Sequence, residues 1–550
     1  MDDVLISQLP IPMVRAAMRH LVAMCPKGSQ LLSKNVKKQF LEQSPPLPKA
    51  EQLFPGRGTQ GQLAEYMALT RCLLSCHAID ECLVYLTHLY NAIPQAAVSW
   101  KEDPGLATTL EQISGDTVQA IQSIKESVSD EPSDLRPGLT ALIDALRNCA
   151  RFCQEHALPF PFSRAAYSVA DVIELLFPKE GDVDRSFIQS SHLKLQLPAF
   201  EANGTHLETV TLGKLTVPRL FNGLWQMASA TAWGSASEEG LEAHLLELVK
   251  AGFVATDMAD HYGDSELIYG TFRNRLPSTV SSRVLAATKW CVFKPLSGPP
   301  THELVLHAVK ERCKRLGGKC DLLQFHWDDK TNEDYLRVIQ ILVDLTVSHP
   351  ELVTEIGLVN FDARTTEKVC KYMIEKTGKV GVVTNQFSLV DSRPQFALCE
   401  ICQKYDIKLL TYGSFLGGFL SDRWLNKPVP DIYSTSSTLT PSQRKYFDMI
   451  QEWDSWQEFQ NLLHALKKVA DSHSVSVSNV ATRWVLQQPA VGSVIVGTRL
   501  GVSSNAASNL ETFSFTLSPA DISSIEAIAT KSKGSALFEC IGDCGAEYSH

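Results

Sequence analysis

No stretch of this 550-residue chain is long and apolar enough to span a bilayer as a helix, which argues against a membrane protein of that kind. The start, Met1-Asp2-Asp3-Val4, is acidic and carries no signal-peptide pattern. A surplus of positive charge is also missing. The formal net charge is −10, which argues against a general nucleic-acid binder. Cysteine is sparse for the length, at 14, and shows no framework spacing. Reduced thiols in a cytoplasmic protein are therefore the expectation. The C-x-x-C of Cys399 and Cys402 reads as mid-helix, with no second ligand pair at a zinc-site spacing. Histidines are scattered without ligand spacing, so no metal is expected. No repeat of fixed period is present, which sets a solenoid aside. What is there, 44% hydrophobic and 20% charged residues, describes a globular chain too long for one core.

Residues 1–185 read as a separate, mostly α-helical domain. Met13, Val14, Ala17, Met18 and Leu21 form a helical stripe. Gln62 to Ala92, Asp103 to Val128, Leu139 to Ala157 and the segment from Ala170 follow the same period. No cluster of catalytic residue types stands out in this region. A break begins at Pro178 to Asp184, and residues 186–205 read as a linker.

From residue 206 to 532 the grammar changes. Leu207 to Leu212 and Leu215 to Val217 alternate apolar with polar around Gly213-Lys214, which predicts a β-hairpin. Eight apolar runs then alternate with amphipathic helices: Arg219 to Trp225, Phe253 to Asp257, Val284 to Trp290, Asp321 to Trp327, Glu355 to Phe361, Val380 to Gln386, Ile407 to Tyr412 and Val491 to Gly497. Near-continuous apolar strands, each followed by a helix, predict an α/β fold with a covered parallel sheet. Eight such units fit a (β/α)8 TIM barrel, preceded by the hairpin. An open doubly wound sheet fits less well, because no Gly-x-Gly-x-x-Gly follows the first strand. Leu416 to Asp454 reads as a lid-like loop over the barrel mouth, and 533–550 as a C-terminal tail.

Barrel strands converge at their C-terminal ends. Asp257, Lys289, His326, Asn360, Gln386, Tyr412 and Gly497 each fall at or just beyond such an end, and Tyr262 lies in the loop after Asp257. A tyrosine beside a lysine is expected to have a lowered pKa. An aspartate would hold the ammonium charged, and a histidine would orient a carbonyl oxygen. The set forms a general acid able to protonate an alkoxide as it develops. Carbonyl reduction also needs hydride, which no side chain supplies, so a nicotinamide cofactor is expected.

These residues sit in motifs that resemble the aldo-keto reductase family. They are Asp257-Met-Ala-Asp-His-Tyr262-Gly, Thr288-Lys289-Trp290, Leu323-Gln-Phe-His326-Trp-Asp, Gly357-Leu-Val-Asn360-Phe, Thr384-Asn385-Gln386 and Val496-Gly497-Thr498-Arg499. The resemblance implies a catalytic tetrad of Tyr262 (proton donor), Lys289, Asp257 and His326. It implies nicotinamide contacts from Asn360 and Gln386, and stacking on Tyr412. Ser414, Leu416 and Gly417 would lie on the loop over the pyrophosphate. Gly497, Thr498, Arg499, Asn505 and Asn509 would face the adenosine end, with Arg499 reading a 2′-phosphate. The sequence departs from the family at Val359, where a serine is usual, and at Ser504, which stands in a usually acidic place. Trp225, His261 and Trp327 would line the substrate pocket. The implied activity is NADPH-dependent reduction of an aldehyde or ketone, with NADH as the alternative cofactor. A second reading is an NADP(H)-binding regulatory or scaffold protein whose domain 1–185 binds a protein partner.

Overall fold

The computed structural model describes residues 10–24, 26–55, 62–127, 135–178, 181–188, 195, 207–228, 238–293, 296, 298–431, 439–530 and 535–548. They fall into two compact units, one built from Met1–Ser191, Ser229–Ser237 and Pro430–Thr438 and one from His192–Ala228, Glu238–Val429 and Leu439–His550. No helix among the described residues is long and apolar enough to cross a membrane.

The first unit is helical: Ile11–Met24, Pro26–Glu42, Ala50–Leu53, Leu63–Ser75, Ile79–Gln95, Pro104–Ser127, Arg136–Glu155 and Ser163–Leu176. Leu83, Leu86, Leu89 and Tyr90 on one helix share a core with Leu139, Leu142 and Leu146 on another. The stretch read as Gln62 to Ala92 is two helices. His77 adopts a left-handed φ of 57° between them, and Ala78 N–H closes on Leu73 O at 2.9 Å, ending the first helix. The helix Pro26–Glu42 was not anticipated, because its lysines, glutamines and serines interrupt the apolar stripe.

In the second unit, β1 (Thr209–Leu212) and β2 (Leu215–Pro218) pair antiparallel as the hairpin. Eight strands then close a parallel barrel: β3 (Leu220–Gly223), β4 (Ala255–Asp257), β5 (Leu285–Val292), β6 (Cys320–Trp327), β7 (Val353–Val359), β8 (Val382–Gln386), β9 (Lys408–Tyr412) and β10 (Val491–Gly497). All eight residues of β6 are buried, as are all five of β8, so the polar side chains within them, Gln324, Asn385 and Gln386 among them, are enclosed with the apolar ones. Leu212, Leu215 and Val217 of the hairpin join Phe221, Ala255, Ala287, Leu322 and Leu410 in one core cluster. The hairpin turn is fixed to β7, where the Glu355 carboxylate accepts from Lys214 N at 2.7 Å.

Side-chain caps start two of the helices that follow strands, Ala363–Glu375 and His302–Arg315. Asp362 accepts from Thr365 N and Thr301 from Leu304 N. The segment expected to be a lid-like loop is more ordered than that. It contains a helix, Pro441–Trp453, started by Thr440 with Gln443 in a reciprocal cap.

Candidate active site at the barrel mouth

Asp257 closes β4, and Lys289 and Gln324 are register partners on β5 and β6. The Lys289 ammonium donates to Asp257 Oδ2 at 2.5 Å and to Met258 O at 2.8 Å. It also lies 4.8 Å from the centroid of the Tyr262 ring. Gln324 Nε2 donates to Asp257 Oδ1 at 2.6 Å, and Thr384 Oγ1 donates to Gln324 Oε1 at 2.6 Å. All of these side chains except Tyr262, which is half-buried, are closed off from solvent. Burial opposes the lysine charge, but Asp257 and Tyr262 outweigh it and raise the Lys289 pKa.

Tyr262 corrects one expectation. Burial pushes its phenol up, and the Lys289 ammonium offsets this only in part, so the net shift is upward. The resting hydroxyl therefore holds its proton. His326 shares a face of β6 with Gln324, two residues away. Burial and the neighbouring Lys330 cation lower its pKa to about 4. Its Nδ1 lies 3.3 Å from Val359 O, and only a protonated nitrogen can donate to a carbonyl. A neutral imidazole with that tautomer presents a bare Nε2.

The loop that carries Tyr262 is tied to β5. Asp260 N–H donates to Lys289 O at 3.2 Å, and the Asp260 carboxylate accepts from Cys291 N at 3.1 Å and from Arg312. Asp260, His261 and Cys291 bring possible ligand atoms within 4.8 Å of one another, but that carboxylate is already engaged by the guanidinium. Beside Tyr262, the His261 ring lies 4.8 Å away, and Phe293 bridges His261 and His326 at 5.3 and 5.5 Å. Trp225 is exposed just past β3. Trp327 is buried, and its indole N–H donates to Asp329 O and Asn332 O.

The residues assigned to the nicotinamide also come together. Tyr412 Oη donates to Asn360 Oδ1 at 2.9 Å. Gln386 Nε2 donates to Asp391 Oδ2 at 2.7 Å, while its Oε1 is buried with no partner among the described residues. An orphaned buried acceptor fits the N–H donors of a carboxamide. Ser414 Oγ donates to Phe387 O, and Leu416 and Gly417 follow with positive φ. The helix Pro441–Trp453 lies on this loop. A Cβ at Gly413 would meet Tyr446 Oη at 2.5 Å, and one at Gly417 would meet Ser442 Oγ at 2.8 Å.

After β10, Thr498 N–H donates to Gly223 O, and Arg499 pairs with Ser503 in an isolated bridge. Ser504 Oγ donates to Glu247 at 2.8 Å. Asn505 and Asn509 flank the start and interior of the short helix Ala506–Leu510. Sequence reasoning missed Gln324, Asp391, Arg393, Tyr446 and the tail residues described below. For Gln324 a signal existed: a lone amide in a largely apolar strand, two residues before His326.

Among known proteins, the chain is 32% identical over 263 residues to flagellar radial spoke protein 5 of Chlamydomonas reinhardtii, covering 42% of this chain and 49% of that one. The chain thus spans about half the length of that relative. It is 24% identical over 294 residues to an aldo-keto reductase of Schizosaccharomyces pombe, yakc, whose name specifies NADP(+), covering 51% of this chain and 80% of that protein. A thermostable aldo-keto reductase solved with the inhibitor epalrestat aligns over 58% of this chain and 99% of its own, at 17% identity and a TM-score of 0.45. The description "Aldo/keto reductase family" matches residues 219–530. The eight-stranded barrel and this match together place the chain in the aldo/keto reductase family, a family of oxidoreductases.

Proposed function

We propose that the barrel is an NADPH-dependent reductase of aldehydes or ketones in which Tyr262 delivers the proton. The observation that carries this reading is the buried Asp257–Lys289 pair with the Tyr262 ring beside its ammonium. NADPH, when bound, would supply hydride to the carbonyl carbon. Asn360 and Gln386 would hold the carboxamide, Gln386 through its unpartnered Oε1, and Tyr412 would carry the ring. Tyr262 keeps its proton until negative charge develops on the carbonyl oxygen. The phenolate left behind is then stabilised by the adjacent Lys289 ammonium, which Asp257 keeps charged. His326, neutral, borders the carbonyl. Arg499 would read the 2′-phosphate.

The test is turnover of a panel of activated aldehydes with NADPH, and separately with NADH. Tyr262→Phe should keep nucleotide binding and lose turnover by about 100-fold or more, the usual contribution of a general acid. Equal turnover in the two proteins removes Tyr262 from the chemistry.

A second reading has its own observation. In the helices Ile11–Met24 and Pro26–Glu42, Ile11, Met13, Leu21 and Leu31 are exposed, and a relative is named for the flagellar radial spoke. On this reading the helical unit tethers the barrel to a protein partner. Retention of a partner by the whole protein, lost in Ile11→Glu/Leu21→Glu, supports it. Unchanged retention, or none, counts against it.

A further inference from the structure

Residues 535–548 run back over the barrel mouth. Phe538, in the helix Ala536–Ile541, packs on Phe396 at 5.5 Å. Asp543 Oδ2 accepts from Ala363 N at 3.0 Å, at the start of the helix Ala363–Glu375. Beyond that point, two of the three residues read as nicotinamide contacts, Asn360 and Tyr412, have a tail residue against them, and the third, Gln386, connects to the tail through two others. Gly545, at φ 77°, sits so close to Asn360 that a Cβ there would lie 2.4 Å from the Asn360 carbonyl oxygen. Gln386 leads to the tail through Asp391. That carboxylate pairs with Arg393 at 2.9 Å, and Arg393 grips Glu547 with contacts of 2.8 and 2.9 Å. Tyr412 has Tyr548 beside it. Burial and then the Tyr548 hydroxyl push the Tyr412 phenol up. Tyr548 in turn accepts from Lys445, on the helix over the pyrophosphate loop, and stacks under its ammonium at 4.7 Å.

A segment that only covered a rim would need no charges at the seam, since buried ion pairs add little net stability. Here the charges are unequal. Arg393 is 1% exposed; Asp391 takes its Nε and Nη2, while its Nη1 donates to tail atoms, Gly542 O, Asp543 O and Glu547 Oε2. Glu547 is the surplus carboxylate. Its departure leaves the guanidinium charge paired with Asp391 and returns the glutamate to water, and what undocking gives up at Arg393 is the set of Nη1 hydrogen bonds to the tail. This is the arrangement expected of a contact that opens.

We propose that residues 543–548 form a latch over the nicotinamide end of the site, so that tail docking and nucleotide binding exclude one another. The proposal rests on Asn360, Gln386 and Tyr412 being the nicotinamide contacts. With a closed latch, the apparent affinity equals the intrinsic affinity multiplied by the fraction of molecules open.

The experiment compares the full chain with its Glu547→Ala and Glu547→Gln variants, each verified by circular dichroism. NADPH dissociation constants come from fluorescence titration, and amide exchange of 536–548 is followed with and without NADPH. The expected result is about tenfold tighter binding in both variants, with faster exchange in the tail of the parent protein once NADPH is added. Equal or weaker binding in the variants, or a tail that NADPH protects, overturns the latch and leaves the reductase reading intact. Absence of NADPH binding in all three folded proteins overturns both.

Discussion

Lys289 depends on Asp257 more than on any other group. Asp257→Ala would leave its ammonium buried beside only a carbonyl oxygen and a phenol ring. Removing one partner of a buried pair typically costs about 3–5 kcal/mol, and urea unfolding of the barrel should show a loss of that order. His326 gives a pH signature. Its folded pKa, about 4, lies below the ordinary value of 6.5. Between those values the unfolded chain takes up a proton that the folded site refuses. Stability should therefore fall as pH drops from 6.5 toward 4, by on the order of 3 kcal/mol from this group. In His326→Gln that part of the slope should vanish, read as a flatter stability-versus-pH curve over this window. Asp257, Lys289 and His326 were legible because charged or polar side chains at the ends of apolar strands need a reason to be there. The Tyr262 shift was not legible, because the depth of its burial is a property of the closed barrel. Glu547 and Tyr548 gave no signal: nothing in Gly-Ala-Glu-Tyr says what it will lie against.

Among the elements, the helix Ser265–Arg275 reaches its neighbour most closely at Gly270. A Cβ there would fall 2.0 Å from Arg315 O and 2.9 Å from Gly317 N. Both are backbone atoms, so relief requires moving the whole segment. Gly270→Ala should cost about 1–3 kcal/mol, against the gain that alanine brings to an unconstrained helix. Chemical denaturation decides the sign. The eight strands were readable because burial on both faces favours apolar runs in the sequence, and the hairpin because its half-exposed strands alternate apolar with polar. Pro441–Trp453 was hidden by the Pro and Ser/Thr composition of the chain before it, which is the chemistry of its own start signal at Thr440 and Pro441.

At the scale of the whole chain, two units with separate cores should melt separately. Calorimetry should resolve two transitions, and saturating NADPH should raise only the one belonging to the barrel. At 100 times the dissociation constant that shift corresponds to about 2.7 kcal/mol. A single transition that moves as one with nucleotide would mean the units fold cooperatively. A helical part followed by a barrel was legible in the sequence as a change of period near residue 206, whereas the role of the helical part was not, since packing residues on a bundle carry no chemical signature.

Trp225 stands exposed at the rim of the barrel, while Trp290, Trp327, Trp453, Trp456 and Trp484 are buried. A reduced dihydropyridine absorbs light where indole emits, so the rim indole is positioned as an energy donor to any such ring arriving at the mouth. Occupancy of this protein is thus open to optical readout without a label, and replacing Trp225 with phenylalanine would dim that signal.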